Sequence, residues 1–229
     1  MKKLILFSAL LISSVGVNAT PGTGGYLGHR IIIGGEFSYS PFFTSTKDFF
    51  TMYNFQYGGN LNVIVGRRTQ IGLDYNMWSL GGNQRYEGNF VKSDRVKGAE
   101  YGVTVRSFRK KRGGIAPIGK FWDAGLSYSQ NEFKAGSDNP YVLTNQTAML
   151  PKTSDQILVH LAFGTQMVFW NRIVGNTGIR FGAPVYEVSK ESGELTTADG
   201  TQKTFDKFLY NRIMNKEYFS VFFGIGILL

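Results

Sequence analysis

The chain has 229 residues, no cysteine, 29 glycines and a formal net charge of +9 at pH 7. The lack of cysteine excludes disulfides and thiolate metal sites. The mean hydropathy is -0.13, and no stretch after the N-terminal segment offers the roughly 18 consecutive apolar residues of a helical membrane span, which excludes an ordinary helical membrane protein.

The N-terminal segment has the three parts of an export signal. Lys2 and Lys3 precede an apolar run over residues 4–12, and Val17-Asn18-Ala19 fits a cleavage site after Ala19. We therefore predict a cleaved signal peptide over residues 1–19 and a periplasmic lead-in over residues 20–27. The rest of the chain, 28–229, is predicted to form one domain.

Eight segments of that domain alternate apolar and polar residues, which is typical of strands with two different faces. Each has roughly the ten residues that a tilted strand needs to cross a bilayer. The second segment is the clearest, because Leu61 and Val63 alternate with Asn60 and Asn62. The eight segments span residues 28–39, 52–65, 70–79, 97–107, 121–131, 156–169, 173–185 and 219–229.

The connections between these segments alternate in length. Tight or moderate links follow the second, fourth and sixth segments, and longer polar connections lie at about residues 40–51, 80–96, 132–155 and 186–216. Short turns on one side and long loops on the other are typical of an up-and-down barrel in the bacterial outer membrane. We therefore predict an all-β fold, an eight-stranded antiparallel up-and-down transmembrane β-barrel, with both termini on the short-turn side.

The polar face of the alternating segments collects charges of both signs. Because charges enclosed in a narrow barrel must be paired or hydrogen-bonded, we predict that they form a polar network in the lumen. An eight-stranded barrel is only just wide enough for side chains to fill, so a wide pore is not expected. The predicted network consists of Arg30, Glu36, Asp74, Glu100, Arg106, Asp123, His160 and Arg180.

With these features the chain resembles the small outer-membrane barrels of the OmpA-barrel and OmpX type, and especially the porin-family barrels common in Bacteroidota. The resemblance rests on the signal, the rhythm of eight segments, the run of residues 112–121 before the fifth segment, and the terminal Phe-Gly-Ile-Gly at 223–226. It implies an integral protein of a Gram-negative outer membrane with a structural or interaction role. The long loops would then contact a ligand or a surface or envelope protein partner.

The other expected partners are outer-membrane lipid, lipopolysaccharide and, during biogenesis, the barrel-assembly machinery. We expect no catalytic residue, cofactor, metal or nucleic acid. Four basic residues at 109–112 could contact phosphates, but they lack the basic groove and stacking platform of a nucleic-acid site. The net positive charge is interpreted mainly as solvated turns.

Three alternatives remain open: a narrow small-solute channel, an accessory barrel for secretion or envelope assembly, and a lipid hydrolase. The hydrolase would use His160, which shares a face with Asp123, Ser127 and Ser129 and which antiparallel pairing could bring opposite Ser127. The favoured interpretation of His160 is a lumen histidine paired with a carboxylate or a hydroxyl. Residues 206–216 are compatible with a short helix or with an extension of the last strand.

Overall fold

The fold was analysed in a computed structural model, which describes residues 28–41, 53–86, 89–109, 116–134, 153–188, 194–196, 202–204 and 218–229. The predicted signal peptide and lead-in, over residues 1–27, lie outside these ranges. So do residues 206–216. No helix in the described part of the chain is long and apolar enough to cross a membrane.

Eight antiparallel strands close into a barrel, and two further strands form a separate two-stranded sheet. Around the barrel the order is β1-β10-β7-β6-β5-β4-β3-β2, while β8 pairs only with β9. The predicted eight-stranded antiparallel barrel is therefore confirmed. The strands are β1 (Ile31–Pro41), β2 (Tyr53–Ile64), β3 (Thr69–Tyr86), β4 (Asn89–Phe108), β5 (Gly119–Lys134), β6 (Thr153–Phe169), β7 (Ile173–Glu187), β8 (Glu194–Thr196), β9 (Gln202–Thr204) and β10 (Ser220–Leu228).

Two of the long connections differ from the prediction. The connection expected at residues 80–96 is instead a continuation of strands β3 and β4, which pair as far as Tyr86 with Asn89. The hairpin of β8 and β9 lies within the connection expected at 186–216. In the first case the backbone pairing of β3 with β4 continues past a register shift between Gly81 and Asn83. Because backbone hydrogen bonds do not require apolar alternation, the strands extend beyond the point where the alternation ends.

Closure joins the first and last strands next to the short turns. The backbone N–H of Arg30 and that of Ile31 both donate to the carbonyl of Leu229, at 3.0 and 3.1 Å. Strand β1 then pairs with β10 from Ile32 opposite Leu228 to Tyr39 opposite Val221. Because every barrel strand has two neighbours, no edge is left unpaired along the wall.

The predicted alternation is also present, and it separates the side chains into two sets. One set faces outward and is exposed although it is apolar: Ile33, Tyr57, Leu73, Tyr101, Leu126, Leu161, Phe181 and Ile225 represent the eight barrel strands, with exposed fractions from 39% to 67%. The other set faces the barrel axis and is buried although much of it is polar. This distribution is the reverse of that in a soluble domain.

Candidate functional site: the barrel interior

The interior has two regions of different chemistry. At the end that carries the short turns, apolar side chains pack into one cluster, which we call the apolar end. All of its members are at most 4% exposed. The apolar end consists of Ile32, Ile64, Phe108, Ala116, Phe121, Ala162, Val174, Phe222 and Leu228.

Next to the apolar end, further from the short turns, lies a polar region that we call the polar middle. It contains the ion pairs Arg180–Glu36 and Arg106–Asp123. Arg180 donates to Glu36 across the β7–β10–β1 wall at 2.6 Å. Arg106 donates to Asp123 on the neighbouring strand at 2.9 Å, with its Nε at 3.2 Å from the same carboxylate oxygen. Arg106 also donates to the Gln166 amide oxygen at 2.6 Å, so its guanidinium joins three strands.

A third cluster of the polar middle is centred on Glu100. Ser127 donates to one oxygen of this carboxylate at 2.6 Å, and Gln56 donates to the other at 3.1 Å. Ser38 in turn donates to the Gln56 amide oxygen at 3.2 Å. The cluster therefore spans strands β1, β2, β4 and β5 and holds their spacing from inside.

Both arginines of the polar middle also contact aromatic rings of the apolar end. The Arg106 guanidinium carbon lies 3.8 Å from the centroid of the Phe121 ring, and that of Arg180 lies 5.0 Å from the centroid of the Phe222 ring. The two rings are 6.4 Å apart. Two cation–π contacts thus connect the regions at their boundary.

Seven of the eight residues predicted for the network have side chains in this interior. Glu36, Glu100, Arg106, Asp123 and Arg180 have the partners described above, and Thr104 hydrogen-bonds the Asp74 carboxylate. His160 is 7% exposed, and its Nε2 has no hydrogen-bond partner among the described residues.

By its place in the alternation Arg30 should face the barrel axis, but its side chain is exposed. It precedes the first residue of β1, where the wall no longer encloses a side chain. Without it the predicted residues that lie in the interior comprise four carboxylates and two guanidinium groups, whereas the prediction had three arginines against four carboxylates.

The catalytic arrangement considered for His160 does not form. The register places His160 opposite Gly125, whereas Ser127 is opposite Leu158 and donates to Glu100. The imidazole covers Gly125 so closely that an added Cβ there would overlap its Nε2. The possible pairing with Ser127 was therefore wrong by one inward position. His160 faces the barrel axis, away from the wall that a lipid substrate could reach.

Four members of these clusters were missing from the predicted network, namely Ser38, Gln56, Ser127 and Gln166. Each has inward parity, which was the available signal, but none is charged. In the described part of the chain no group of three or more His, Asp or Glu side chains is placed to hold a metal ion.

Comparisons with known proteins identify no family for this chain. No protein-family model and no curated protein sequence matches the chain. Among solved structures, Neisserial surface protein A is 11% identical, with 87% of this chain and 96% of that chain covered and a TM-score of 0.49. The N-terminal β-barrel domain of Pseudomonas aeruginosa OprF is 10% identical (90% and 99% covered, TM-score 0.42). The outer membrane protein OprG from Pseudomonas aeruginosa is 11% identical (89% and 96% covered, TM-score 0.42).

Proposed function

We propose that this chain is an integral barrel of a bacterial outer membrane with a structural or interaction role, and that its long loops make the contacts. The observation that carries the proposal is the apolar exterior of all eight strands. Ile225 is 67% exposed, Tyr57 56% and Ile33 53%. Soluble monomers rarely expose such a continuous apolar surface, whereas a membrane barrel needs one to contact hydrocarbon.

The interior supports a filled barrel rather than an open pore. The apolar end has Phe121, Phe222 and Leu228 at no more than 2% exposure, and the ion pairs of the polar middle lie directly above. A side-chain-filled barrel acts through its outer surfaces. The proposed ligand or protein contacts are therefore assigned to the long connections, and placement among the porin-family barrels of Bacteroidota stays the finer prediction.

Fractionation combined with gel migration tests this proposal. The mature protein should be found in the outer-membrane fraction, and its unheated form should migrate differently from its boiled form, because a closed barrel resists unfolding by detergent. A protein that is dissolved in the periplasmic extract, or whose migration does not change on heating, would refute the proposal.

Planar-bilayer recordings distinguish the filled barrel from the narrow-channel alternative. The filled barrel should insert without stepwise ion conductance, since apolar side chains from several strands pack into one cluster at the short-turn end. Regular conductance steps from protein that shows the heat-dependent shift would replace the structural role with a channel. In vivo crosslinking followed by mass spectrometry would identify a stable partner of an accessory barrel.

A further inference from the structure

Among the residues that the structure describes, the short-turn end of the barrel carries only positive side-chain charge. Six basic residues in the described ranges surround it, and five of them are exposed, with Arg68 partly buried. No Asp or Glu occurs in the described residues that build this end, 28–35, 61–73, 103–109, 116–122, 161–179 and 225–229. We call this set the basic rim: Arg30, Arg67, Arg68, Arg109, Lys120 and Arg172.

Backbone hydrogen bonds hold the basic rim in place. The carbonyls of Arg30, Arg68 and Arg172 accept from Ile64, Phe108 and Leu228 at 2.8, 2.9 and 2.8 Å. The carbonyl of Arg67 accepts from Ala116 at 2.9 Å, and the N–H of Arg109 donates to the carbonyl of Lys120 at 2.8 Å. The cations therefore project from a connected and ordered backbone.

The basic rim also lies directly beside the exposed apolar band. Lys120 and Trp122 share the outward parity of β5, and Trp122 is 44% exposed. Trp170, which is 85% exposed, precedes Arg172 in a turn where Trp170 and Asn171 have φ angles of 47° and 64°. Aromatic side chains followed by cations mark the headgroup depth of a membrane protein.

The opposite end of the barrel has a different charge pattern. Positions on its strand ends carry both signs, including Lys97 and Glu132, which lie opposite one another on β4 and β5. A basic surface without acidic neighbours attracts anions, whereas a mixed surface does so much less. The excess charge is thus concentrated at the end with the short turns.

We infer that the basic rim binds the phosphate groups of anionic phospholipids in the periplasmic leaflet of the outer membrane. This inference rests on the proposed function, because the short turns of an outer-membrane barrel lie in the periplasm. The basic rim combines positive charge with a position next to the exposed apolar side chains of the barrel wall. An anionic lipid headgroup matches both features, because it is negatively charged and lies at this depth in a bilayer. Each cation near a negatively charged lipid surface favours binding about fivefold.

The test uses the full mature chain in nanodiscs made from an equimolar mixture of phosphatidylglycerol and phosphatidylcholine. Native mass spectrometry of the released protein measures which lipid is retained. The unaltered protein should retain phosphatidylglycerol in preference. The variant Arg67→Gln/Arg109→Gln/Arg172→Gln removes one cation from each short turn and should lower that preference on the order of a hundredfold, since each of the three cations contributes about fivefold.

Two control variants separate charge from folding. Arg67→Lys/Arg109→Lys/Arg172→Lys keeps the charge and should keep the preference. Lys92→Gln/Arg95→Gln/Lys97→Gln removes three cations from β4 towards the other end and should leave the preference unchanged. Raising the salt concentration should weaken the preference of the unaltered protein, because the contacts are ionic and exposed.

The inference would be overturned if the unaltered protein showed no lipid preference, or if the Gln variant of the rim kept it. Displacement of phosphatidylglycerol by inorganic phosphate at constant ionic strength would also overturn it, because the rim would then be a site for free anions. All variants are first tested for the heat-dependent shift. Failure of that shift in the unaltered protein contradicts the proposed function, whereas insertion without lipid preference contradicts this inference alone.

Discussion

The apolar end and the polar middle are built from positions of the same inward parity, yet they stabilise the barrel in different ways. The apolar end packs Phe222 and its neighbours out of contact with water, as in the core of a soluble protein. The polar middle connects strands that are distant in sequence, for example Glu36 with Arg180. The alternation along each strand therefore determines which side chains are enclosed. Whether an enclosed side chain is apolar or polar depends on its position along the barrel axis.

The boundary between the two regions depends on arginine. Arg106 and Arg180 each use their charge toward a carboxylate and the face of their guanidinium toward a phenylalanine ring. A lysine offers a point charge without this planar face, so the two residues are not equivalent here. We therefore expect substitutions in the polar middle and in the apolar end to lower the free energy of unfolding by different amounts.

The largest effect is expected from breaking an ion pair of the polar middle. Arg180→Met should lower the free energy of unfolding by about 3–5 kcal/mol, because it leaves Glu36 enclosed without its cation. Glu36→Gln/Arg180→Met should recover part of this loss. Urea unfolding of the refolded barrel, followed by gel migration, measures both. Equal losses in the single and double variants would show that the ion pair is not coupled.

A somewhat smaller effect is expected at the apolar end. Phe222→Ala removes a fully buried ring and should cost about 3 kcal/mol in the same assay. The neighbouring Phe223 faces outward and is 57% exposed, which makes Phe223→Ala a matched control with a smaller cost. If the two variants lost the same stability, the assignment of these faces would be in doubt.

The narrowness of the lumen predicts an intermediate cost for adding one methyl group. Gly125→Ala should lose about 2 kcal/mol, since His160 occupies the space of the new Cβ and must move. Gly59→Ala is the control, because an added Cβ there would meet nothing closer than a carbonyl oxygen at 3.6 Å. A harmless Gly125→Ala would show that the imidazole is not tightly enclosed.

The smallest effect is expected from a single hydrogen bond in the polar middle. Ser127→Ala removes one donor to Glu100 and should cost about 1 kcal/mol, because Gln56 still donates to the other carboxylate oxygen. Gln56→Ala/Ser127→Ala should cost more than the sum of the single variants. Simple additivity in urea unfolding would mean that the two donors act independently.

The sequence predicted the barrel and its faces because both depend on short-range alternation. The period of two places Leu61 and Val63 outside and Asn62 inside, whichever strand is the neighbour. The closed fold then follows from eight such segments with alternating connection lengths. These are local features of the chain, so no knowledge of tertiary contacts was needed.

Register and depth could not be read in this way. His160 faces Gly125, and not Ser127, because the pairing of β5 with β6 is fixed by the whole barrel. The apolar end gathers residues from distant strands, such as Ile32, Phe121 and Val174, which the alternation alone does not place at one level. Arg30 has the parity of an inward residue, but the wall ends before it.

A single-cysteine scan along β2 tests the claim that alternate side chains of the barrel face hydrocarbon. The chain has no native cysteine, so each spin label reports one position without background. In a lipid bilayer, labels at Phe55, Tyr57, Leu61 and Val63 should be accessible to oxygen, and labels at Gln56, Asn60 and Asn62 should not. Oxygen accessibility without a period of two, or outward labels reached by a water-soluble relaxation agent, would contradict the claim.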